Sequence, residues 1–417
     1  MRIHIPYGNK STEIEIKHSK VLQVLEPLSV PTLNHRDCKR SIEKAIIQLL
    51  PFCSSFTIIV PDITRIWVRS SFFTSLVVET LFRFGIKAEK ITILIATGSH
   101  RSATKEEITT ITGKGVAKRL RIINHDCHNN KKLTYWGETS YGNRVYLNSE
   151  ASQSDCIIII GGVMFHLIAG FGGGRKYILP GIAGYDTIQK NHSLTILPDG
   201  SPHPEVRPSV LASNPVNKDM IEGAAFLLKK RKSLLINIID SGYNKLSGMI
   251  IGDWYNSWQK ACSFLEKFHR ISIPTLADFV IVSAGGHNKD AILYQSIKAL
   301  FNAALCVKPG GRIIFLTQCR NGIGNKEFAN AMVTFREKPA LLGRILTNRF
   351  SMPTYVAYST LNLLKHFNIT LISDLPPSLT EELGFNCNKN LERLINDLPG
   401  TGYIIPFGEN ILPALRS

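Results

Sequence analysis

Short continuous runs of β-branched and aliphatic residues alternate along this chain with longer stretches of mixed polarity. Phe56-Thr57-Ile58-Ile59-Val60, Ile91-Thr92-Ile93-Leu94-Ile95, Arg121-Ile122-Ile123-Asn124 and Cys156-Ile157-Ile158-Ile159-Ile160 each predict a strand. Each run ends where turn formers or reactive side chains begin: at Pro61-Asp62, at Ala96-Thr97-Gly98, at His125 and at Gly161-Gly162. A second series begins near residue 276. Asp278-Phe279-Val280-Ile281-Val282-Ser283 predicts a strand, and the loop Ala284-Gly285-Gly286-His287-Asn288-Lys289-Asp290 follows it. A helix over 291–306 then leads through Val307-Lys308-Pro309-Gly310-Gly311, a turn, into the strand Arg312-Ile313-Ile314-Phe315-Leu316. Alternating strands and helices define an α/β protein with mainly parallel sheets flanked by helices. Open sheets of this kind bind ligands outside the carboxyl ends of their strands, so the polar residues that follow the first four runs form one predicted rim.

The chain has 417 residues. That exceeds the size at which one core usually keeps growing, so two domains are expected. A helix over 258–270 and the break at Ser272-Ile273-Pro274 put the boundary between 1–272 and 273–417. The strand-like Gly402-Tyr403-Ile404-Ile405-Pro406 lies near the end of the chain, and the final residues are expected to return to the first domain. Small-molecule clefts commonly form between domains, which is where the site is expected.

Hydrophobic content of 44% and charged content of 19% describe a globular chain. The opening Met1-Arg2-Ile3-His4-Ile5-Pro6-Tyr7 lacks the apolar core of a secretory signal, which predicts a cytoplasmic protein. The most apolar window, 156–174, approaches membrane-span length, but its glycines and His166 fit a buried strand and a loop better. Eight cysteines carry no paired spacing, so free thiols are expected. A net charge of +17 admits nucleic acid, yet the basic residues are dispersed. The one cluster, Lys229-Lys230-Arg231-Lys232, follows an apolar segment as a solvated helix end would. Neither a nucleic-acid nor a membrane partner is expected, and the charge also suits an anionic substrate.

The densest chemistry lies in Gly161-Gly162-Val163-Met164-Phe165-His166-Leu167-Ile168-Ala169-Gly170-Phe171-Gly172-Gly173-Gly174-Arg175-Lys176, followed by Asn191-His192. Glycine lets backbone approach a ligand, and the loop amides can hold an anion. Arg175 stands between Gly174 and Lys176, so this is not a Walker A loop, and the Gly-x-Gly-x-x-Gly spacing also fails. On its own the loop is equally well an ordinary flexible turn. Lys176 offers a cation or a nucleophilic amine, His166 a proton exchanger and His192 a metal ligand. His100, after a strand end, is a turn residue or a base. Arg65 and Lys298 are surface cations or carboxylate anchors. Asp62 caps a helix, orients a histidine or holds Arg65. Tyr294, Gln295 and Lys298 share a face if they are helical. His125, His128 and His203 lack the tight spacing of a zinc site.

Several of these segments together resemble the nickel-dependent lactate racemase family, also called the nickel-pincer 2-hydroxyacid racemases. The resemblance is carried in order by Asp62-Ile63-Thr64-Arg65, Ala96-Thr97-Gly98-Ser99-His100-Arg101, and Asn124-His125-Asp126 with Asn129. The glycine loop through Lys176 and His192 follows, and then Tyr294-Gln295-Ser296-Ile297-Lys298. It implies a pyridinium-3,5-bisthiocarboxylic acid mononucleotide joined to Lys176 through a thioamide, with nickel held by His192. It also implies cofactor contacts from Asp62, Gly172, Gly173 and Gly174. The acid/base pair would be His100 and His166, and Arg65, Tyr294, Gln295 and Lys298 would bind substrate. The implied reaction is racemisation of a small anionic 2-hydroxy acid, lactate first, by reversible hydride transfer through a 2-keto acid. Cofactor-maturation enzymes are the implied partners.

The chain departs from the family pattern at Ile66-Trp67 and Phe165, where proline is frequent, and at Gly172, where the common form carries serine. Three other readings stay open. They are a racemase or epimerase of a larger hydroxy acid or sugar acid with the same cofactor, a metal-dependent hydrolase, and an inactive binding protein.

Overall fold

The computed structural model describes residues 1–29, 33–242, 245–287, 289–388 and 390–416. Asn288, named above in a loop, lies outside the described residues. The chain divides into two compact units, each built from separated stretches. One comprises Val30–Leu194 and Glu205–Glu266, the other Met1–Ser29, Thr195–Pro204 and Lys267–Ser417. This differs from a single boundary at 272, because the first segment of the chain folds with the last. Nor do the final residues leave the second unit: Leu412–Leu415 pairs in parallel with Arg270–Ile273.

In the unit formed by Val30–Leu194 and Glu205–Glu266, the expected strands appear as Phe56–Pro61, Ile91–Ala96, Arg121–Asn124 and Cys156–Gly162. Two more, Lys232–Gly242 and Lys245–Gly252, complete a six-stranded sheet. All pairings are parallel except that of Lys232–Gly242 with the edge strand Lys245–Gly252. Phe56–Pro61 and Cys156–Gly162 are neighbours. From the first of these the chain winds outward through Ile91–Ala96 and Arg121–Asn124. It then returns to start again on the other side with Cys156–Gly162 and Lys232–Gly242. That reversal is a topological switch point, and a crevice opens beyond the carboxyl ends of the two strands. Ile58, Val60, Ile93, Ile95, Ile158 and Ile160 form part of the core beneath it. Burying each such side chain contributes about 1.5–3 kcal/mol. The 156–174 window is thus a sheet strand and the loop after it. Among the described residues no helix is long and apolar enough to cross a membrane.

The other unit repeats the plan. Asn386–Cys387, Asn368–Ile372, Val307–Leu316, Ala277–Ser283, Gly402–Ile405 and Val21–Val24 form a parallel sheet in that order. The turn expected at 307–311 is a bulge within a longer strand: Ala277 pairs with Val307, but Phe279 already pairs with Arg312. The helix expected over 291–306 is Leu293–Ala303 with a short 3-10 turn after it. Ile5, Ile14 and Ile16 of the N-terminal segment are buried with Phe279, Ile281 and Ile314, which explains why that segment belongs here. All eight cysteines are free thiols, seven of them buried.

Candidate active site

Asp62 follows strand Phe56–Pro61 and His100 the neighbouring strand Ile91–Ala96. The Asp62 carboxylate is buried, and its Oδ2 lies 2.6 Å from His100 Nδ1. A carboxylate accepts, so Nδ1 carries the proton and the Nε2 lone pair is the ring's basic position. Thr64 Oγ1 donates to the other Asp62 oxygen at 2.6 Å. Burial pushes the Asp62 carboxyl up, but the bond and charge of His100, the charge of Arg65 and the Thr64 hydroxyl outweigh it. The net position is below the usual carboxylate range. The aspartate side chain makes no helix-capping bond; it orients the imidazole. Arg65 Nη1 donates to the Thr64 carbonyl and hydroxyl. Trp67, one of the departures from the family pattern, packs where a side chain on Gly162 would otherwise sit, since a Cβ there would lie 2.1 Å from its ring.

Beyond Gly162 the chain makes a small hairpin, Phe165–His166 paired with Gly170–Phe171. Its turn aims the backbone N–H groups of Ile168 and Ala169 at His166 Nδ1, both at 3.2 Å. Here Nδ1 accepts, so in the neutral ring Nε2 carries the proton, the opposite setting to His100. Lys176 Nζ lies 2.6 Å from that Nε2.

The glycine loop is tightly fixed rather than loose. Arg175 is fully buried and donates to the carbonyls of Ala169, Phe171 and Gly173 at 2.7–3.3 Å and to Asn217 Oδ1 at 2.9 Å. Its guanidinium stacks 3.9 Å from the ring centre of buried Trp258, whose Nε1 donates to the Gly172 carbonyl. Burial pulls Arg175 down to about 9, still a cation at neutral pH. Gly174 has φ +55°, and a Cβ there would lie 2.5 Å from Trp258. At Gly172 the nearest atom to a built Cβ is 3.5 Å away, so the departure from serine falls where a side chain has room. Tyr177, after Lys176, receives the Gly162 N–H on its hydroxyl, and burial pushes it up to about 12. Gly98 donates to Gly181, which ties the turn before His100 to the segment after Lys176.

His192 lies near the end of helix Tyr185–Ser193 and is 7% exposed. Its Nδ1 donates to the Ile188 carbonyl at 2.8 Å, so the neutral ring presents its lone pair at Nε2. Burial above all, with Lys176 adding to it, brings the imidazole down to about 4. His125 is buried too, but both ring nitrogens are committed: Nε2 to the Ala183 carbonyl and Nδ1 to the Asn148 amide. It is a packing histidine. Among the described residues no group of three or more His, Cys, Asp or Glu gathers as a zinc ion would require.

Thus one unit brings together Asp62 with His100 and His166 with Lys176, and the charges of Arg65 and Lys176 reach Asp62 and His192. Tyr294, Gln295 and Lys298 belong to helix Leu293–Ala303 of the other unit. Lys298 Nζ donates to Gln295 Oε1 at 2.5 Å, while Tyr294 packs against Phe328 and is raised by burial. A cavity of about 480 Å³ in that unit is walled by Tyr7, Thr12, Asp374 and Asn388, and among the described residues none of the site residues named above lines it. Arg175, Trp258, Asn214, Asn217 and Asp219 were not singled out from sequence. Asn214-Pro215 is a helix-start signal, and Asp219 sits on a helix stripe with Val216, Met220 and Gly223. A carboxylate on an apolar stripe was the available clue.

Two imidazoles set in opposite tautomers follow strands of a doubly wound sheet, and a lysine amine lies against one of them, His166. Residues 7–202 match the lactate racemase N-terminal domain and residues 273–398 the lactate racemase C-terminal domain. The lactate racemase of Thermoanaerobacterium thermosaccharolyticum is 28% identical over 83% of this chain and 81% of its own. That of Lactiplantibacillus plantarum is 29% identical over 73% and 70%. The structure of the T. thermosaccharolyticum lactate racemase apoprotein superposes with a TM-score of 0.87 at 25% identity, over all of both chains. A Thermotoga maritima protein shares the fold, with a TM-score of 0.71 at 17% identity over 93% of this chain and all of that one. The chain belongs to the lactate racemase family, and it is an isomerase of the racemase kind.

Proposed function

We propose that this protein racemises a small 2-hydroxy acid, lactate first among them, using a nickel-pincer nucleotide attached to Lys176. The observation that carries the reading is the pair of histidines held in opposite tautomers, with His166 directly against Lys176. The residues present fit the cofactor. Lys176 places its amine nitrogen 2.6 Å from His166 Nε2, beside a group that can take up its proton before it becomes an amide-type nitrogen. His192 offers a buried neutral Nε2 lone pair. Gly173 and Gly174 pass so close to Val163 and Trp258 that no side chain fits there, so the loop holds this course only as glycine. When bound, this group supplies a hydride acceptor, so a non-acidic Cα–H is inverted without a carbanion.

The chain's own groups do the rest. Arg65 holds the substrate carboxylate. His100, oriented by Asp62, takes the hydroxyl proton at Nε2. His166, in the protonated imidazolium form that a histidine acid needs, gives a proton to the keto oxygen and is left as the neutral ring. After each turnover the two rings have exchanged roles, as interconversion of mirror-image substrates requires. The packed loop and Trp67 exclude water from the rim.

The test is protein co-expressed with cofactor-maturation enzymes, assayed by chiral chromatography on single lactate enantiomers, with peptide mapping of Lys176 and nickel analysis. The reading expects racemisation, an adduct on Lys176 and bound nickel. Nickel and adduct without lactate turnover would move the substrate to a larger 2-hydroxy acid. Active, nickel-loaded protein with an unmodified Lys176 would overturn the attachment.

A further inference from the structure

The three groups that this reading uses, His166, Lys176 and His192, come from a hairpin, a glycine loop and a helix, and all three meet one further helix. That helix, Pro215–Leu228, is capped by Asn214, whose Oδ1 accepts from the Asn217 N–H, and Pro215 occupies its first position. Its first turns bury Asn214, Asn217 and Asp219 almost completely. Buried polar groups persist only when satisfied, and these spend their bonds on the site's supports.

Asn214 Nδ2 donates to the Ile168 carbonyl at 3.0 Å, in the turn whose N–H groups fix His166. Asn217 Oδ1 accepts from Arg175 Nε at 2.9 Å, next to Lys176, and Arg175 in turn gathers the loop carbonyls. Asp219 Oδ2 accepts from Asn191 Nδ2 at 2.7 Å, next to His192, and from Asn143 Nδ2 at 2.8 Å. Asn143 also donates to the Thr187 carbonyl of the His192 helix, and Thr139 donates to Asp219 Oδ1. Neighbouring positions on one rigid helix therefore grip the three chain segments that carry the three groups. Helix geometry fixes those grips to a small fraction of a turn.

We propose that Asn214, Asn217 and Asp219 are positioning residues that set the spacing of His166, Lys176 and His192. Asp219 has the largest part, because it holds the helix of the candidate metal ligand. This rests on the function proposed above for those three groups. Supports behind metal ligands typically change metal affinity or activity by about 10- to 100-fold when removed.

The experiment compares wild type, Asp219→Ala and the conservative Asp219→Asn, which keeps an acceptor for Asn191. Hydrogen exchange by mass spectrometry is measured on the unloaded full chain, and nickel content and Lys176 adduct on matured protein. In Asp219→Ala, the Tyr185–Ser193 helix should exchange about 10- to 100-fold faster while the Phe56–Pro61 strand stays protected. Nickel should fall by about tenfold or more with the Lys176 adduct retained. Asp219→Asn should restore both towards wild type. Unchanged helix exchange and nickel in Asp219→Ala would overturn the proposal. So would protection lost evenly across the sheet, the mark of a merely structural residue. If wild type itself carries neither nickel nor adduct, the proposed function fails, and the exchange pattern alone decides the positioning role.

Discussion

The two sheets of this protein share one winding plan but use their switch points differently. In the first, the crevice between Phe56–Pro61 and Cys156–Gly162 is edged by Asp62, by Trp67 against Gly162, and by the hairpin of His166. In the second, the chain's own N-terminal hairpin lies against the residues that follow Ala277–Ser283, the strand beside Gly402–Ile405. Ser283 Oγ donates to the Pro6 carbonyl at 2.5 Å, His287 N–H to the Gly8 carbonyl at 2.6 Å, and Gly8 N–H to Asp290 Oδ2 at 2.6 Å. Both crevices hold a buried aspartate after a strand. Asp62 binds an imidazole, whereas Asp290 binds a backbone amide. The same topology therefore carries the candidate site in one place and a structural clasp in the other, and the two carboxylates differ in what they bind.

Five measurements would sharpen or break this contrast. The largest effect is expected for His192→Ala: matured protein should lose nickel and racemase activity outright with its fold retained, and full nickel occupancy would place the metal elsewhere. Next, Asp62→Asn should lower kcat by about 10²–10⁴-fold with little change in melting temperature, because the amide no longer enforces the His100 tautomer. A normal rate would make Asp62 as structural as Asp290.

Third, the acid limb of stability should belong to the first sheet's unit. His125 and His192 both lie near 4 in the fold, below the ordinary histidine value of 6.5, because burial opposes their charged forms. The unfolded chain binds protons first, so stability present above about pH 6.5 is lost as pH falls towards about 4. The loss is on the order of 3 kcal/mol for each fully titrated ring. Urea midpoints across that range check it, and His125→Asn should flatten the slope. Fourth, Asp290→Ala should cost about 1–3 kcal/mol through the orphaned Gly8 amide. By contrast, Gly172→Ser should stay within about 0.5 kcal/mol of wild type, and Gly174→Ala should destabilise by about 1–3 kcal/mol against Trp258. Equal effects at the two glycines would contradict the packing described.

What could be read from sequence was local. Isoleucine runs such as 156–160 form strands because nothing else buries so many β-branched side chains in so short a span. The reactive residues follow those strands because the sheet places them at its carboxyl edge, and motif order identified the family. What only the tertiary structure decided depends on partners distant in sequence. The N-terminal hairpin joins the far sheet because Ile5 and Ile14 find their apolar surface there. Arg175 becomes the clasp of the glycine loop only once Trp258 and Asn217 arrive beside it. The opposite tautomers of His100 and His166 follow from a carboxylate at one ring and two backbone amides at the other. A sequence fixes which groups exist and how far apart they lie along the chain; which donor meets which acceptor is settled when packing closes the loops between them.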